Sequence, residues 1–142
     1  KRVTDNLNFA LDSMMLKMRK GGAFHCFLPD ETINMEAYSE GQDCPTGGVA
    51  MAFRSSDVAN PDSVTQYIYK LDGDSALAVW HTGDTDFTPI TADFITIDNL
   101  KFYVFNSALF TPKPRAVVVI SGQSSLGGLS TDFAVQTSVS ER

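Results

Sequence analysis

The first twenty residues alternate between apolar and polar positions with the period of an α-helix. Apolar side chains recur at spacings of three and four from Val3 to Met18, which places them on one helix face. Basic residues follow and complement the negative end of a helix, and Gly21-Gly22 offers a left-handed stop. The pattern predicts an amphipathic helix whose packed face is formed by Leu7, Leu11, Met14 and Met18.

Two segments in the middle of the chain alternate with a period of two, which is typical of strands. They are residues 65–71 and 75–81, and a weaker alternation covers residues 49–53. The Asp72-Gly73 pair lies between the first two segments, and this dipeptide is typical of tight turns. The pattern therefore predicts a β-hairpin that is closed at Asp72-Gly73.

The last third of the chain contains four further strand-like segments. The first two are out of phase across Asp98-Asn99, which predicts a bulge or a turn at that point. The last two are separated by a Gly/Ser-rich stretch, residues 121–130, which is predicted to be a loop. The four segments are residues 94–97, 100–105, 115–120 and 133–139.

The order of these elements predicts the fold class. One helix comes first and the strands follow it, and this segregation is typical of α+β domains. A chain of 142 residues has the usual length of one domain. We therefore expect a single domain over residues 1–142, with the N-terminal amphipathic helix packed on an antiparallel sheet. Its parts are a helix at 3–20, a variable loop region at 21–64 and the sheet at 65–142.

The net charge of −6 is unevenly distributed along the chain. Residues 1–29 carry five basic and two acidic side chains, residues 30–98 carry two and thirteen, and residues 99–142 carry four and two. Because phosphate binding needs clustered Lys and Arg, this distribution disfavours a nucleic-acid partner. The acidic middle is best explained by solvated loops.

The chain has two cysteines, Cys26 and Cys44. Their separation fits neither a redox CxxC pair nor a zinc framework. Cys44 lies in a polar loop, which favours a disulfide between the two over a pair of buried free thiols. A disulfide would indicate an oxidising compartment.

Few residues offer chemistry. The choice of a general base is limited to His25 and His81, and neighbours such as His25 and Cys26 point to opposite sides of an extended chain. Phosphate-binding and zinc-protease motifs do not occur. We therefore expect no catalytic residue, no enzyme activity and no cofactor. Calcium is the one metal with candidate ligands, and these are Asp84, Asp86 and Asp93.

Two segments resemble parts of type IV pilins and of the related pseudopilins of type II secretion. Residues 6–21 (NLNFALDSMMLKMRKG) look like the back half of the pilin helix. Residues 133–142 (FAVQTSVSER) are similar to a closing strand of minor pilin-like proteins that reads Phe-x-aliphatic-Gln-Thr-x-(Val or Ile)-Ser-x-Arg. Residues 100–104 and 115–122 also look like central strands of this group.

The resemblance implies a minor pilin or pseudopilin without the hydrophobic front half of its helix, which is expected upstream of Lys1. Such a subunit is anchored in the inner membrane before assembly, and it then packs with other pilin or pseudopilin subunits in a helical filament at the cell surface. Two alternatives stay open. One is a freestanding extracellular ligand-binding or adhesion domain, and the other is a secreted hydrolase that uses an Asp or Glu together with His81. The ligand face of the binding domain would be formed by Tyr67, Tyr69, Trp80 and Tyr103.

Overall fold

The structure is a computed structural model that describes residues 2–56, 64–73, 75–107 and 114–140. These residues form one helix and eight strands. The elements are α1 (Arg2–Arg19), β1 (Gly21–Phe27), β2 (Ala50–Ser56), β3 (Val64–Leu71), β4 (Leu77–His81), β5 (Thr88–Pro89), β6 (Ile95–Phe105), β7 (Arg115–Leu126) and β8 (Leu129–Ser140).

The strands form two antiparallel sheets, and within each sheet the strands that are consecutive in the sequence are paired. Sheet A contains five strands in the order β1-β2-β3-β4-β5. Sheet B contains three strands in the order β6-β7-β8. Both sheets are therefore meanders, and the chain passes from one sheet to the other between β5 and β6.

The predicted α+β fold class, in which one antiparallel sheet carries the helix in a pilin-like packing, is wrong. The fold is mostly β, with two antiparallel sheets and a single helix of 18 residues. The region at 21–64 that was predicted as a variable loop contains β1 and β2. Its alternation is weak because residues 50–53 of β2 are buried on both faces of sheet A, so no polar side alternates with the apolar one.

Gly21 and Gly22 do not form the predicted left-handed stop of the helix. Both belong to β1, and the positive φ in this segment is that of Ala23, at 54°. Ala23 lies where the pairing of β1 with β2 shifts register, so it forms part of a bulge. Gly21 is required for a different reason, because a Cβ atom there would lie 2.6 Å from the carbonyl oxygen of Arg54.

The hairpin predicted around Asp72-Gly73 is confirmed, because β3 pairs with β4 in antiparallel register. The connection is longer than a tight turn, since the last pair is Leu71 with Leu77. The amide of Asp72 donates to the carbonyl of Ala76 at 2.7 Å, which closes this longer loop.

The loop predicted at 121–130 is wrong, because β7 continues to Leu126 and β8 begins at Leu129. Only Gly127 and Gly128 connect them, with φ values of 63° and 83°. Two consecutive positive φ angles are what a tight two-residue hairpin turn requires, and glycine adopts them without a steric cost.

The bulge predicted near Asp98-Asn99 is confirmed. β6 is one continuous strand whose register against β7 shifts between Ile97 and Asn99. The two strands approach closely here, and a Cβ atom at Gly122 would collide with the carbonyl oxygen of Thr96. The bulge explains why the apolar positions change phase without a break in the strand.

Two apolar cores hold these layers together. The main core is formed by side chains from α1 and from one face of each sheet, including Met14, Phe53 and Phe102. A smaller core covers the opposite face of sheet A. Its buried members are Phe27, Ala50, Ala52, Ile68 and Trp80, with Ile33, Tyr38 and Phe87 packed against them.

Candidate functional site

The helix α1 buries one face and exposes apolar residues on the other. The face predicted from the sequence is in the main core, where each member is at most 4% exposed: Leu7, Leu11, Met14 and Met18. In contrast, Phe9 is 78% exposed and Leu16 is 52% exposed. The helix therefore carries apolar residues on two sides, and the outer ones lie among polar residues such as Asp12 and Ser13.

Phe9 and Leu16 share one side of α1, and we call this pair the outer stripe. They are seven residues apart, which is about two turns, so their side chains project in nearly the same direction. At about 100° per residue, Leu11 and Met18 project from the opposite side. The outer stripe therefore points away from the main core.

A groove of about 230 Å³ runs beside the outer stripe. Lys17 lies on the groove toward the C-terminal end of α1, and its Nζ atom is 5.0 Å from the centre of the Tyr67 ring. The remaining lining is mostly apolar, so the groove combines an apolar surface with one cation. Its lining residues are Phe9, Ala10, Ser13, Lys17, Tyr69, Val79 and Ile90.

Hydrogen bonds at both ends fix the rotation of α1 on the fold. Near the N-terminus the side-chain oxygen of Asn6 accepts a hydrogen bond from the amide of Ala92 at 2.9 Å. Near the C-terminus the hydroxyl of Ser55 donates to the carbonyl of Lys17 at 3.0 Å, which satisfies one of the free carbonyls of the last turn. The outer stripe is therefore held in one orientation.

The predicted disulfide is confirmed, since Cys26 and Cys44 are bonded with their Cα atoms 5.8 Å apart. Both residues are buried in the main core. Gly48 packs directly against this bond, and a Cβ atom at that position would collide with the sulfur of Cys26. Disulfides persist in oxidising compartments, and the bond indicates such an environment.

A contact between His25 and Glu31 fastens the segment after β1 to the strand itself. The Nε2 atom of His25 is 2.9 Å from a carboxylate oxygen of Glu31, and the side-chain amide of Gln42 donates to the other oxygen at 2.7 Å. The Nδ1 atom of His25 lies 3.2 Å from the carbonyl oxygen of Glu40. Both ring nitrogens therefore face oxygen acceptors.

The electrostatics of this pair follow from its contacts. Burial alone would raise the pKa of Glu31, but hydrogen bonds from His25, Gln42 and the backbone outweigh it, so the pKa lies below its usual value of 4.5. The His25 ring also packs against Tyr38, with ring centres 4.9 Å apart, and burial raises the pKa of that tyrosine. The adjacent Cys26 is in the disulfide, so no thiolate is available as a nucleophile. The contacts of His25 and Glu31 therefore hold the segment after β1 in place.

Two of the three calcium candidates, Asp84 and Asp86, accept hydrogen bonds from neighbouring backbone amides. Asp84 accepts a hydrogen bond from the amide of His81 at 3.2 Å, and one of its oxygens is 3.3 Å from the imidazole of that residue. Asp86 accepts from the amide of Phe87 at 2.8 Å, while Asp93 is exposed. Within residues 2–56, 64–73, 75–107 and 114–140, no group of three or more His, Cys, Asp or Glu is placed to hold a metal ion.

The aromatic residues considered as a ligand face do not share one surface. Tyr69 is in the main core, and burial raises the pKa of its phenol. Trp80 belongs to the smaller core on the other face of sheet A, and its indole N–H donates to the carbonyl of Asp84 at 2.9 Å. Tyr103 is half-buried on β6 in sheet B. These positions pack the two sheets.

Sequence reasoning missed the outer stripe and the contact between His25 and Glu31 for different reasons. Phe9 and Leu16 are seven residues apart, so a helical projection places them together on one side of the helix. That side lies outside the single packed face that the apolar period predicts. No sequence signal joins His25 to Glu31, because their contact depends on the path of the chain after β1.

In the comparison with known proteins, no family model, no curated protein and no solved structure matches this chain. Among the residues that the structure describes, no helix has both the length and the hydropathy needed to cross a membrane.

Proposed function

We propose that this chain is a structural subunit, a minor pilin or pseudopilin, of a helical filament of the type IV pilus or type II secretion kind. The observation that carries the proposal is the two-sided apolar character of α1. Its inner face is buried, while Phe9 and Leu16 are 78% and 52% exposed on the other side. An exposed phenylalanine and leucine on one side of a helix form an apolar surface that a partner can cover.

The cover that the outer stripe requires is best provided by a helix of a neighbouring subunit. Helices pack by placing side chains of one between those of the other, and residues seven apart, such as Phe9 and Leu16, leave room for such an insertion. The groove beside Phe9 enlarges the apolar surface, and Lys17 adds one charge that can select the partner. Exposed apolar surface of this kind marks interaction sites.

Two further observations support the proposal. The closing segment that resembles minor pilins lies in β8 as far as Ser140, and its last two residues, Glu141 and Arg142, lie outside the described residues. The disulfide Cys26–Cys44 suits a domain that works outside the cytoplasm. The proposal requires an apolar segment encoded ahead of Lys1, which would anchor the subunit before assembly.

The test expresses the full-length precursor in its native host with a tag after Arg142. The parent is compared with Phe9→Gln/Leu16→Gln, which removes the outer stripe without a change of charge. The matched control is Asn8→Gln/Arg19→Lys, which alters two exposed polar positions on the same helix and also leaves the charge unchanged. We expect the tag of the parent and of the control in sheared surface filaments, and loss of the tag from that fraction for the stripe variant.

Thermal unfolding of the purified domains separates assembly from folding. Because Phe9 and Leu16 are exposed, the stripe variant is expected to unfold within a few degrees of the parent. Recovery of the parent only as a secreted monomer, with the assembly machinery intact, would overturn the proposal and favour the freestanding binding domain. Equal incorporation of the stripe variant would remove the role of α1.

A further inference from the structure

The outer strands of sheet A have protected edges. The edge of β1 is covered by the segment that follows it, since the amide of Cys26 donates to the carbonyl of Gln42 at 3.0 Å and the amide of Gln42 donates to the carbonyl of Phe24 at 2.9 Å. At the other side β5 has two residues, and one of them is Pro89. Covering segments, short strands and proline are common ways to prevent edge pairing.

The edge of β6 in sheet B is also covered. Gly48 exchanges two backbone hydrogen bonds with Phe102, with N···O distances of 2.7 and 3.1 Å. Further along the strand, the amide of Cys44 donates to the carbonyl of Val104 at 3.1 Å. The same segment that covers β1 therefore also covers β6.

The remaining outer strand, β8, is in contact with α1, but among the described residues no backbone segment is paired to its outer edge. It pairs with β7 along all 12 residues without a bulge, and within the described ranges no other backbone group is hydrogen-bonded to its opposite edge. It contains no proline and no lysine, and its one charged residue is Asp132. A long, regular and almost uncharged edge is a template for another strand.

We propose that β8 is a docking edge at which two copies of this chain pair about a twofold axis. In a second copy the edges of β1, β5 and β6 are protected in the same way, so the one unprotected edge among the described strands that β8 can meet is another β8. Antiparallel pairing of two identical strands creates a twofold axis, and the same surface is used on both copies. The two B sheets then form one continuous sheet.

The alternation along β8 restricts the register of this pairing. Phe133, Val135 and Val139 pack toward the main core, and the alternate positions Ala134, Gln136 and Ser138 are exposed. A slip by one residue would place apolar positions of one copy opposite exposed positions of the other. Val135 opposite Val135 of the second copy keeps like with like and overlaps all but the first residue of the strand. Asp132 then faces Ser138, so like charges do not meet.

This inference goes beyond the proposed filament role. A twofold interface closes after two copies and cannot by itself extend a filament, so the pair is a state of the domain outside the filament. The filament test changes α1, whereas the test below changes β8. Each proposal can therefore fail while the other holds.

The variant Ala134→Lys/Gln136→Lys blocks the edge with the residue type that proteins use for this purpose, and in the proposed register each new lysine faces a lysine of the second copy. Both positions are exposed, so the charges leave the main core intact. The control Asn99→Lys/Gln123→Lys places the same two charges on exposed positions of β6 and β7, away from the free edge.

Sedimentation equilibrium of the disulfide-intact chain over a concentration series gives the result. We expect the parent and the control to rise from 15.5 kDa toward twice that mass, and the β8 variant to dissociate about tenfold more readily or worse. A parent that stays monomeric, association beyond two copies, or an equal loss in the control would overturn the proposal.

Hydrogen exchange of the parent provides a measurement that needs no variant. The amides of β8 should exchange more slowly as protein concentration rises, because pairing covers the free edge, while those of β2 should be unaffected. Exchange in β8 that is independent of concentration would overturn the proposal even if the lysine variant failed to fold.

Discussion

At the scale of single residues, the clearest device is the pair formed by His25 and Glu31. It joins β1 to the segment that returns to Cys44, and Gln42 completes the hydrogen bonding of the carboxylate. Because the pKa of Glu31 is lower in the folded chain than its usual 4.5, folding favours the ionised carboxylate. The pair therefore couples the attachment of this segment to pH.

The sign of this coupling leads to a prediction for Glu31→Gln. The contribution of Glu31 is fully present above pH 4.5 and is lost as the pH falls through its lowered pKa. In urea titrations the parent should exceed the variant in stability near neutral pH, and the difference should shrink as the pH falls below 4.5. Glu36→Gln at an exposed position is the control, and it should show no comparable change. A difference between parent and Glu31→Gln that stays constant with pH would contradict the prediction.

At the scale of elements, α1 has a buried apolar face and an exposed apolar stripe on its opposite side. Its inner face is held by the main core, and its ends are held by Asn6 and Ser55. Its outer stripe takes no part in the main core, although its side chains are as apolar as those inside. The two faces should therefore respond differently to the same substitution.

Leu11→Asp and Leu16→Asp test this difference in one helix. Leu11 is 4% exposed, so an aspartate there buries a charge without a partner and should cost several kcal/mol, at least about 3. Leu16 is 52% exposed, so the same change should cost about 1 kcal/mol or less, mainly through the unfavourable helix end. Chemical denaturation measures both values. Similar losses for the two variants would show that the orientation of α1 is wrong.

At the scale of the whole molecule, the segment between β1 and β2 links the two sheets. Gln42 binds the edge of β1, while Cys44 and Gly48 bind the edge of β6. The disulfide anchors this segment in the main core. Because it covers an edge in each sheet, the attachment of the segment should affect the stability of both.

The double variant Cys26→Ala/Cys44→Ala measures the value of this link. The bond joins residues 18 apart, and in the chain-entropy account closing a loop of this length stabilises the fold by about 3 kcal/mol. The variant should lose about that amount in a single cooperative transition, followed by circular dichroism and by Trp80 fluorescence. Thiol titration of the unfolded, unreduced parent should find no free thiol. Two free thiols, or a variant as stable as the parent, would contradict the prediction.

The local elements were largely determined by the sequence itself. The period of the apolar residues located α1, its inner face and most strands, because that period follows directly from backbone geometry. The phase change at Asp98-Asn99 identified the bulge in β6 for the same reason. The disulfide was predictable because Cys26 and Cys44 are the two cysteines of the chain and no metal or redox spacing competed for them.

The arrangement of those elements was decided only by the tertiary structure. The strands divide into two sheets, and β2 gave only the weak alternation of residues 49–53 because both its faces are buried. Gly21 and Gly127 each begin a Gly-Gly pair in the sequence. Gly21 nevertheless lies in a strand, close to the backbone of Arg54, whereas Gly127 forms a tight turn. Likewise, the exposure of Phe9 and the free edge of β8 depend on what covers each surface, and contacts between segments distant in sequence decide that.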